Sequence, residues 1–328
     1  MTAAYDVAAI GNAIVDVLAR ADDAFLAAEG LDKGSMRLID EARARDLYGR
    51  MAAGVEASGG SAANTIAGVA SFGGRSLFVG KVARDALGDV FTHDIRAVGA
   101  RFDTPPLNSG AATGRCLINV TPDGERTMCT FLGAALRLTP DDVDPAAVAA
   151  ARILYLEGYL FDPEDARAAF GKAAAAARAA DRTIALSLSD AFVVERHRQA
   201  LLSFIDTEVD VLFANEAEVE SLFECDFESG LSALDGRVKI AAVTRGAKGS
   251  VILAGGARTT VAAEPVDHVV DTTGAGDQYA AGFLVGLAGD LPLAECGRLG
   301  STAAAEVIGH FGPRPQTRLA DLTPVGGA

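Results

Sequence analysis

Asp271-Thr272-Thr273-Gly274-Ala275-Gly276-Asp277 leads directly into Gln278 to Leu287, a run of small and apolar residues that reads as a helix. Glycines let successive backbone N–H groups turn toward one point without side-chain obstruction, and the start of a helix adds partial positive charge there. Such a turn can hold an oxyanion or a phosphoryl group in transfer. Asp277 follows those donors, where a carboxylate can take a hydroxyl proton during phosphoryl transfer. An N-cap on a helix entered through glycines fits the same position, and the local pattern does not separate the two.

Upstream of this segment, short apolar runs recur at Tyr5 to Ile10, Ser76 to Val79, Ile153 to Leu156, Thr183 to Leu188, Val211 to Ala214, Ile240 to Thr244 and Ser250 to Leu253. Most are separated by Ala-rich stretches of helical period, such as Pro145 to Ala151 and Pro163 to Ala180. Alternation of this kind predicts an α/β fold, a mostly parallel sheet flanked by helices on both faces. The first run ends at Gly11 and delivers Asn12 to Asp16 at its carboxyl end, where open α/β sheets bind ligands.

One region departs from the pattern. Gly114 to Val120 and Arg126 to Phe131 are strand-like and flank Thr121-Pro122-Asp123-Gly124-Glu125, a turn sequence, so they predict an antiparallel hairpin. A hairpin is not stable alone, and Gly34 to Asp40 is the expected partner. Residues 1–328 read as one domain, with a small β lid drawn from about 12–40 and 108–133.

The chain has 328 residues, half of them apolar, 22% charged, with a formal charge of −15. That charge argues against nucleic-acid or anionic-membrane partners, which need a basic surface. The four cysteines are scattered and read as reduced thiols, and the four histidines show no zinc spacing. With no basic leader and no apolar run of bilayer length, a cytoplasmic location is expected. Neither a dinucleotide fingerprint at Gly11 nor a Walker loop is present.

The Asp271 to Asp277 segment with Ala280-Ala281-Gly282-Phe283 resembles the C-terminal signature of the ribokinase-type (PfkB-type) carbohydrate kinases. Gly59-Gly60-Ser61-Ala62-Ala63-Asn64, with Gly73-Gly74 and Gly80-Lys81-Val82 downstream, resembles the family's N-terminal signature, and Asn215-Glu216-Ala217-Glu218 its Asn-x-x-Glu motif. The resemblance implies a ribokinase-like sheet with a β lid over the acceptor and Asp277 as catalytic base. It makes Gly274, Ala275 and Gly276 the anion hole and places Thr273 beside the phosphates. Asn215 and Glu218 then organise Mg2+ and its waters around ATP; a solvated acidic helix face is the alternative. Thr244, Gly246 and Gly249 match a nucleotide-side turn, and Ala303 to Gly312 the adenine edge. A plain hairpin turn and a packed helix explain the same segments. K+ is a further candidate ion.

Gly11-Asn12-Ala13-Ile14-Val15-Asp16 resembles the opening of adenosine kinases, and the hairpin resembles the lid of their bacterial members more than that of ribokinase. The resemblance makes Asp16 the group that holds the ribose, with Asn12, Gly59, Gly60, Ser61 and Asn64 beside it. Met36, Leu38 and Tyr159 fall where the base would be received, though ordinary core positions suit them equally. Arg126 either leans over the phosphates or sits exposed, balancing Glu125. The expectation is ATP-dependent phosphorylation of the 5′-hydroxyl of adenosine or a close nucleoside. A sugar kinase of the same fold and a non-catalytic nucleoside-binding regulator are the alternatives. An exposed lid edge offers a route to a homodimer.

Overall fold

The computed structural model describes residues 3–323. Its strands are, in chain order, β1 (Tyr5–Ile10), β2 (Ile14–Arg20), β3 (Met36–Leu38), β4 (Gly54–Gly59), β5 (Ser76–Val79), β6 (Gly114–Val120), β7 (Arg126–Phe131), β8 (Ala151–Glu157), β9 (Thr183–Ser187), β10 (Val211–Asn215), β11 (Ile240–Thr244), β12 (Ser250–Ala254) and β13 (Ala257–Val261). Eight of them form one mixed sheet in the order β13-β12-β11-β10-β9-β8-β1-β5. From β5 to β11 the pairings are parallel; β12 and β13 close it antiparallel. The change of direction follows from the connection, because the tight turn from Arg245 to Gly249 is too short for a crossover.

The apolar runs are continuous because both faces of this sheet are covered. Val7, Ala9, Ile153, Tyr155, Val211 and Phe213 point one way, onto Ile66 and Val69 of the helix Ser61–Ser71 and Phe283 of the helix Ala275–Ala288. Ile10, Leu154, Leu156, Ile184 and Leu212 point the other way, onto Phe170 and Ala173 of the helix Glu164–Ala179 and Leu201 of the helix Ala191–Glu208. The two sets alternate along each strand, as the pleat requires.

The remaining five strands form a second sheet, ordered β3-β7-β6-β2-β4. The β6–β7 hairpin closes where the sequence predicts, with Thr121 N–H donating to the Glu125 carbonyl at 3.0 Å and Gly124 N–H to the Thr121 carbonyl at 2.9 Å. Met36–Leu38 joins β7, within the expected Gly34 to Asp40 segment. Two members were not anticipated. Asp16 is not in a loop at the end of β1 but inside β2, which starts after only three connecting residues. β4 lies outside the 12–40 and 108–133 segments, and this short strand with glycine at both ends is held by pairing with β2.

All four cysteines are free thiols. Among the described residues no helix is long and apolar enough to cross a membrane, and no cluster of three or more His, Cys, Asp or Glu side chains offers a metal cage.

Candidate active site

The carboxyl ends of β1, β8, β9, β10 and β11 open into a cavity of about 610 Å3 whose opposite wall is the small sheet. Fifteen of the predicted residues line it: Asn12, Asp16, Met36, Leu38, Gly60, Ser61, Asn64, Tyr159, Asn215, Glu218, Thr244, Thr273, Gly274, Gly276 and Asp277. The separation in sequence is bridged by the topology, since strand ends of a parallel sheet converge on one edge.

Asp277 is not the cap of its helix. Gly274 occupies the cap position with φ of +77°, and no side chain caps there. A β-carbon at Gly274 would stand 2.6 Å from the Pro313 carbonyl, so glycine is required on both counts. The Asp277 carboxylate instead reaches across the cavity floor. It accepts from Ser61 Oγ at 2.6 Å and Asn64 Nδ2 at 3.1 Å, two residues on the first turn of the helix Ser61–Ser71. Burial pushes its pKa up to about 6, opposed by those two hydrogen bonds and the charge of Arg314. At neutral pH it is therefore ionised yet still a fair proton acceptor, the range a general base needs. In the turn beside it Ala275 N–H donates to the Thr272 carbonyl at 3.3 Å and Gln278 N–H to the Gly274 carbonyl at 2.8 Å, which leaves the N–H groups of Gly276 and Asp277 at the helix start, where an anion can be received.

Asp16 is 6% exposed and lines the cavity from β2. Burial raises it to about 7, Arg314 and Arg126 pull it down and Asp277 pushes it up, and no hydrogen bond offsets the burial. Its oxygens are thus available to a ligand hydroxyl. Asn12 is fixed differently: its N–H and Nδ2 both donate to Glu157 Oε1, at 3.2 and 2.6 Å, while its own Oδ1 is buried without a partner.

Asn215 and Glu218 form a capping box on the helix Glu216–Phe223, Asn215 Nδ2 donating to Glu218 at 2.8 Å and Glu218 N–H to Asn215 Oδ1 at 2.9 Å. Glu218 is buried rather than part of a solvated face, and desolvation raises it to about 7. Met36 and Leu38 are not core residues: 41% and 56% exposed, they stand on the cavity wall.

Five predicted residues do not line the cavity. Gly59 lies behind Asp16, and Ala275 is the first residue of its helix. Gly246 and Gly249 shape the β11–β12 turn, where a β-carbon at Gly249 would stand 2.1 Å from the Val261 carbonyl. Arg126 is neither exposed nor paired with Glu125; it is ion-paired with the buried Asp271 and lies 5.9 Å from the Phe311 ring centre. Asp271 also accepts from Thr273 and Gly312 N–H at 2.7 and 2.8 Å, so Arg126 ties β7 to the turn from Asp271 to Asp277.

Sequence reasoning missed Glu157, Phe192 and Arg314. Glu157 is fully buried at the carboxyl end of β8, accepts from Ala62 N–H at 2.8 Å as well as from Asn12, and is raised by burial to about 7. An acid directly after the apolar run Ile153 to Leu156 is the signal that could have found it. Phe192 lines the cavity and is 67% exposed.

The model of the pfkB family carbohydrate kinases matches residues 33–318. The chain belongs to that family. It is 51% identical to the adenosine kinase from Sinorhizobium meliloti, covering 97% of this chain and 98% of that one with a TM-score of 0.92. It is 47% identical to a probable sugar kinase from Rhizobium etli, covering 98% of both at a TM-score of 0.92. A fructokinase of Klebsiella pneumoniae is 30% identical, over 76% of this chain and 87% of its own length. The protein is an ATP-dependent kinase with an alcohol group as acceptor, which removes the non-catalytic regulator from consideration.

Proposed function

We infer that this kinase phosphorylates the primary 5′-hydroxyl of adenosine or a close nucleoside, with Asp277 as general base. The observation that carries the reading is the division of the cavity. Asp16 on β2, Asn12 and Asn64 supply groups for vicinal hydroxyls close to Asp277. β3 lies three strands from β2, about 14 Å across the small sheet, and carries Met36 and Leu38; Met128, Leu132, Tyr159 and Phe192 extend that apolar wall. Exposed apolar side chains inside a cavity favour a flat apolar ligand, and a free sugar would leave the wall unfilled. The likeness to the S. meliloti adenosine kinase supports the same acceptor.

In this reading the acceptor hydroxyl attacks the γ-phosphorus of ATP as Asp277 takes its proton. The bond from that phosphorus to the β–γ bridging oxygen breaks, and ADP leaves. Backbone N–H groups of Gly274, Ala275 and Gly276 stabilise the charge on the moving group, the principal need of phosphoryl transfer. Mg2+, when bound, neutralises phosphate charge. Asn215 and Glu218 suit it through water, because each is already engaged by the other and a hydrated ion asks for few direct protein ligands.

A sugar acceptor is the second reading, favoured by the fructokinase likeness and by the polar groups around Asp16. A coupled assay of ATP consumption over adenosine, inosine, ribose and fructose decides. Adenosine should give the highest kcat/KM; a higher value for fructose would transfer the assignment to the sugar. The partly exposed edge strand β4, with Val55 66% exposed, leaves room for a second copy of the chain, which sedimentation at several concentrations would reveal.

A further inference from the structure

Asn64 stands between two charged side chains. Its Nδ2 donates to Asp277 at 3.1 Å, and its Oδ1 accepts from Arg314 Nε at 3.3 Å. Its backbone carbonyl accepts from Gln278 Nε2 at 3.0 Å, which anchors the residue to the helix that carries Asp277. A guanidinium only donates, whereas an amide has one donating and one accepting end. Arg314 therefore selects the amide orientation in which the donor faces the carboxylate.

Arg314 lies between Pro313 and Pro315 in the loop after the helix Leu293–Ile308, and its side chain is 14% exposed. Its Nη1 is 4.0 Å from Asp94, a carboxylate already engaged by Ser58 N–H at 2.8 Å and Ser58 Oγ at 3.2 Å, and its Nη2 is buried with no partner. An incompletely paired buried cation is expensive to maintain.

We propose that Arg314 is a positioning residue for phosphoryl transfer: through Asn64 it orients the Asp277 carboxylate and sets its guanidinium charge on the same side of the site. The proposal rests on the reading of Asp277 as the base. The other groups around Asp277 are acids that its charge disfavours: Asp16 from β2, Tyr155 and Glu157 from β8, Tyr159 from the turn after β8, and Glu218 from the helix Glu216–Phe223. Ser61 and Asn64 stabilise its ionised form by hydrogen bonds, and Arg314 is the cation that does so by charge.

The test is the pH profile of kcat from about pH 5 to 9, with ATP, Mg2+ and whichever of adenosine and fructose is the better acceptor. In Arg314→Met the acid limb should move up by about one unit, so that kcat falls about tenfold near pH 5 and less than about threefold near pH 8.5. Arg314→Lys, which keeps the charge, should restore the limb. Arg314→Gln, which keeps a donor but no charge, carries the same comparison if the Met variant does not fold. Equal loss at every pH, or an unmoved limb, overturns the proposal. The residual activity of Asp277→Asn separates the two readings. An acid limb that persists there refutes Asp277 as the base; a limb absent there but unmoved in Arg314→Met refutes Arg314 alone.

Discussion

Gly59 and Asp16 sit on neighbouring strands so close together that a β-carbon on Gly59 would stand 2.3 Å from the Asp16 carboxyl carbon. The glycine touches no ligand space itself; it gives the carboxylate its seat. Gly59→Ala should raise KM for the acceptor by about tenfold while changing KM for ATP less than about twofold, because only Asp16 is displaced. Equal effects on both constants would show that the strand, rather than Asp16, had been disturbed.

Asp277→Asn keeps size and removes the base. Turnover should fall on the order of a hundredfold or more with acceptor binding largely intact. Steady-state kinetics with calorimetric binding of the acceptor checks this, and near-normal turnover would remove Asp277 from its role.

Loss of the Asp16 carboxylate acts on recognition instead. Asp16→Ala should weaken acceptor binding by about 2 to 3 kcal/mol through loss of a charge-assisted hydrogen-bond acceptor. ATP binding should hardly change, and a matching loss for ATP would place Asp16 elsewhere in the reaction.

Phe192 tests the identity of the acceptor. Phe192→Ala should cost adenosine about 1 to 2 kcal/mol of binding through lost ring contact and leave fructose nearly unaffected. An equal loss for both would mean that the ring serves the shape of the cavity and not the base.

Stability and activity should respond to pH in opposite directions. Burial raises Asp16, Glu157 and Glu218 to about 7 and Asp277 to about 6. Carboxyls in the unfolded chain titrate near 4, so between these values the folded chain binds more protons than the unfolded one. Their contribution is complete below about pH 4 and is lost as pH rises through about 6 to 7. The ligand-free melting temperature should therefore drop between about pH 5.5 and 8.5 while kcat climbs with Asp277 ionisation. A melting temperature that rose over this interval would contradict the burial of these acids.

The large sheet was legible because strands covered on both faces must be apolar at successive positions, and Val211 to Ala214 or Ile153 to Leu156 can hardly be anything else. The turn at Gly274 was legible because its glycines precede a helix. β2 was hidden by Asp16, which breaks its apolar run. β4 was hidden because Gly54 and Gly59 look like loop residues until β2 is beside them. Asp277 read from its local pattern as either a cap or a base until the family resemblance made it the base, and only the fold brings Ser61 and Asn64, more than 200 residues away in sequence, to hold its carboxylate. Arg314, in a proline-flanked loop, carries no local pattern at all; only the fold brings it to Asn64.

The small sheet meets the rest of the chain at four crossings: Gly11 to Ala13 before β2, Gly60 after β4, the entry to β6 at Gly114, and Leu132-Gly133 after β7. Ile14 is in register with both Gly59 and Gly114, and Arg115 with Phe131, so all four lie along one row at one end of the sheet. The sheet thus hangs like a door from a single jamb, latched near its far end by the ion pair of Arg126, opposite Val120, with Asp271. The far end of β6 is about 20 Å from that row, so a rotation of about 15° carries the Thr121 to Glu125 turn roughly 5 Å, whereas Asp16, two residues from the axis, hardly shifts. Large travel at the rim comes with a nearly stationary Asp16.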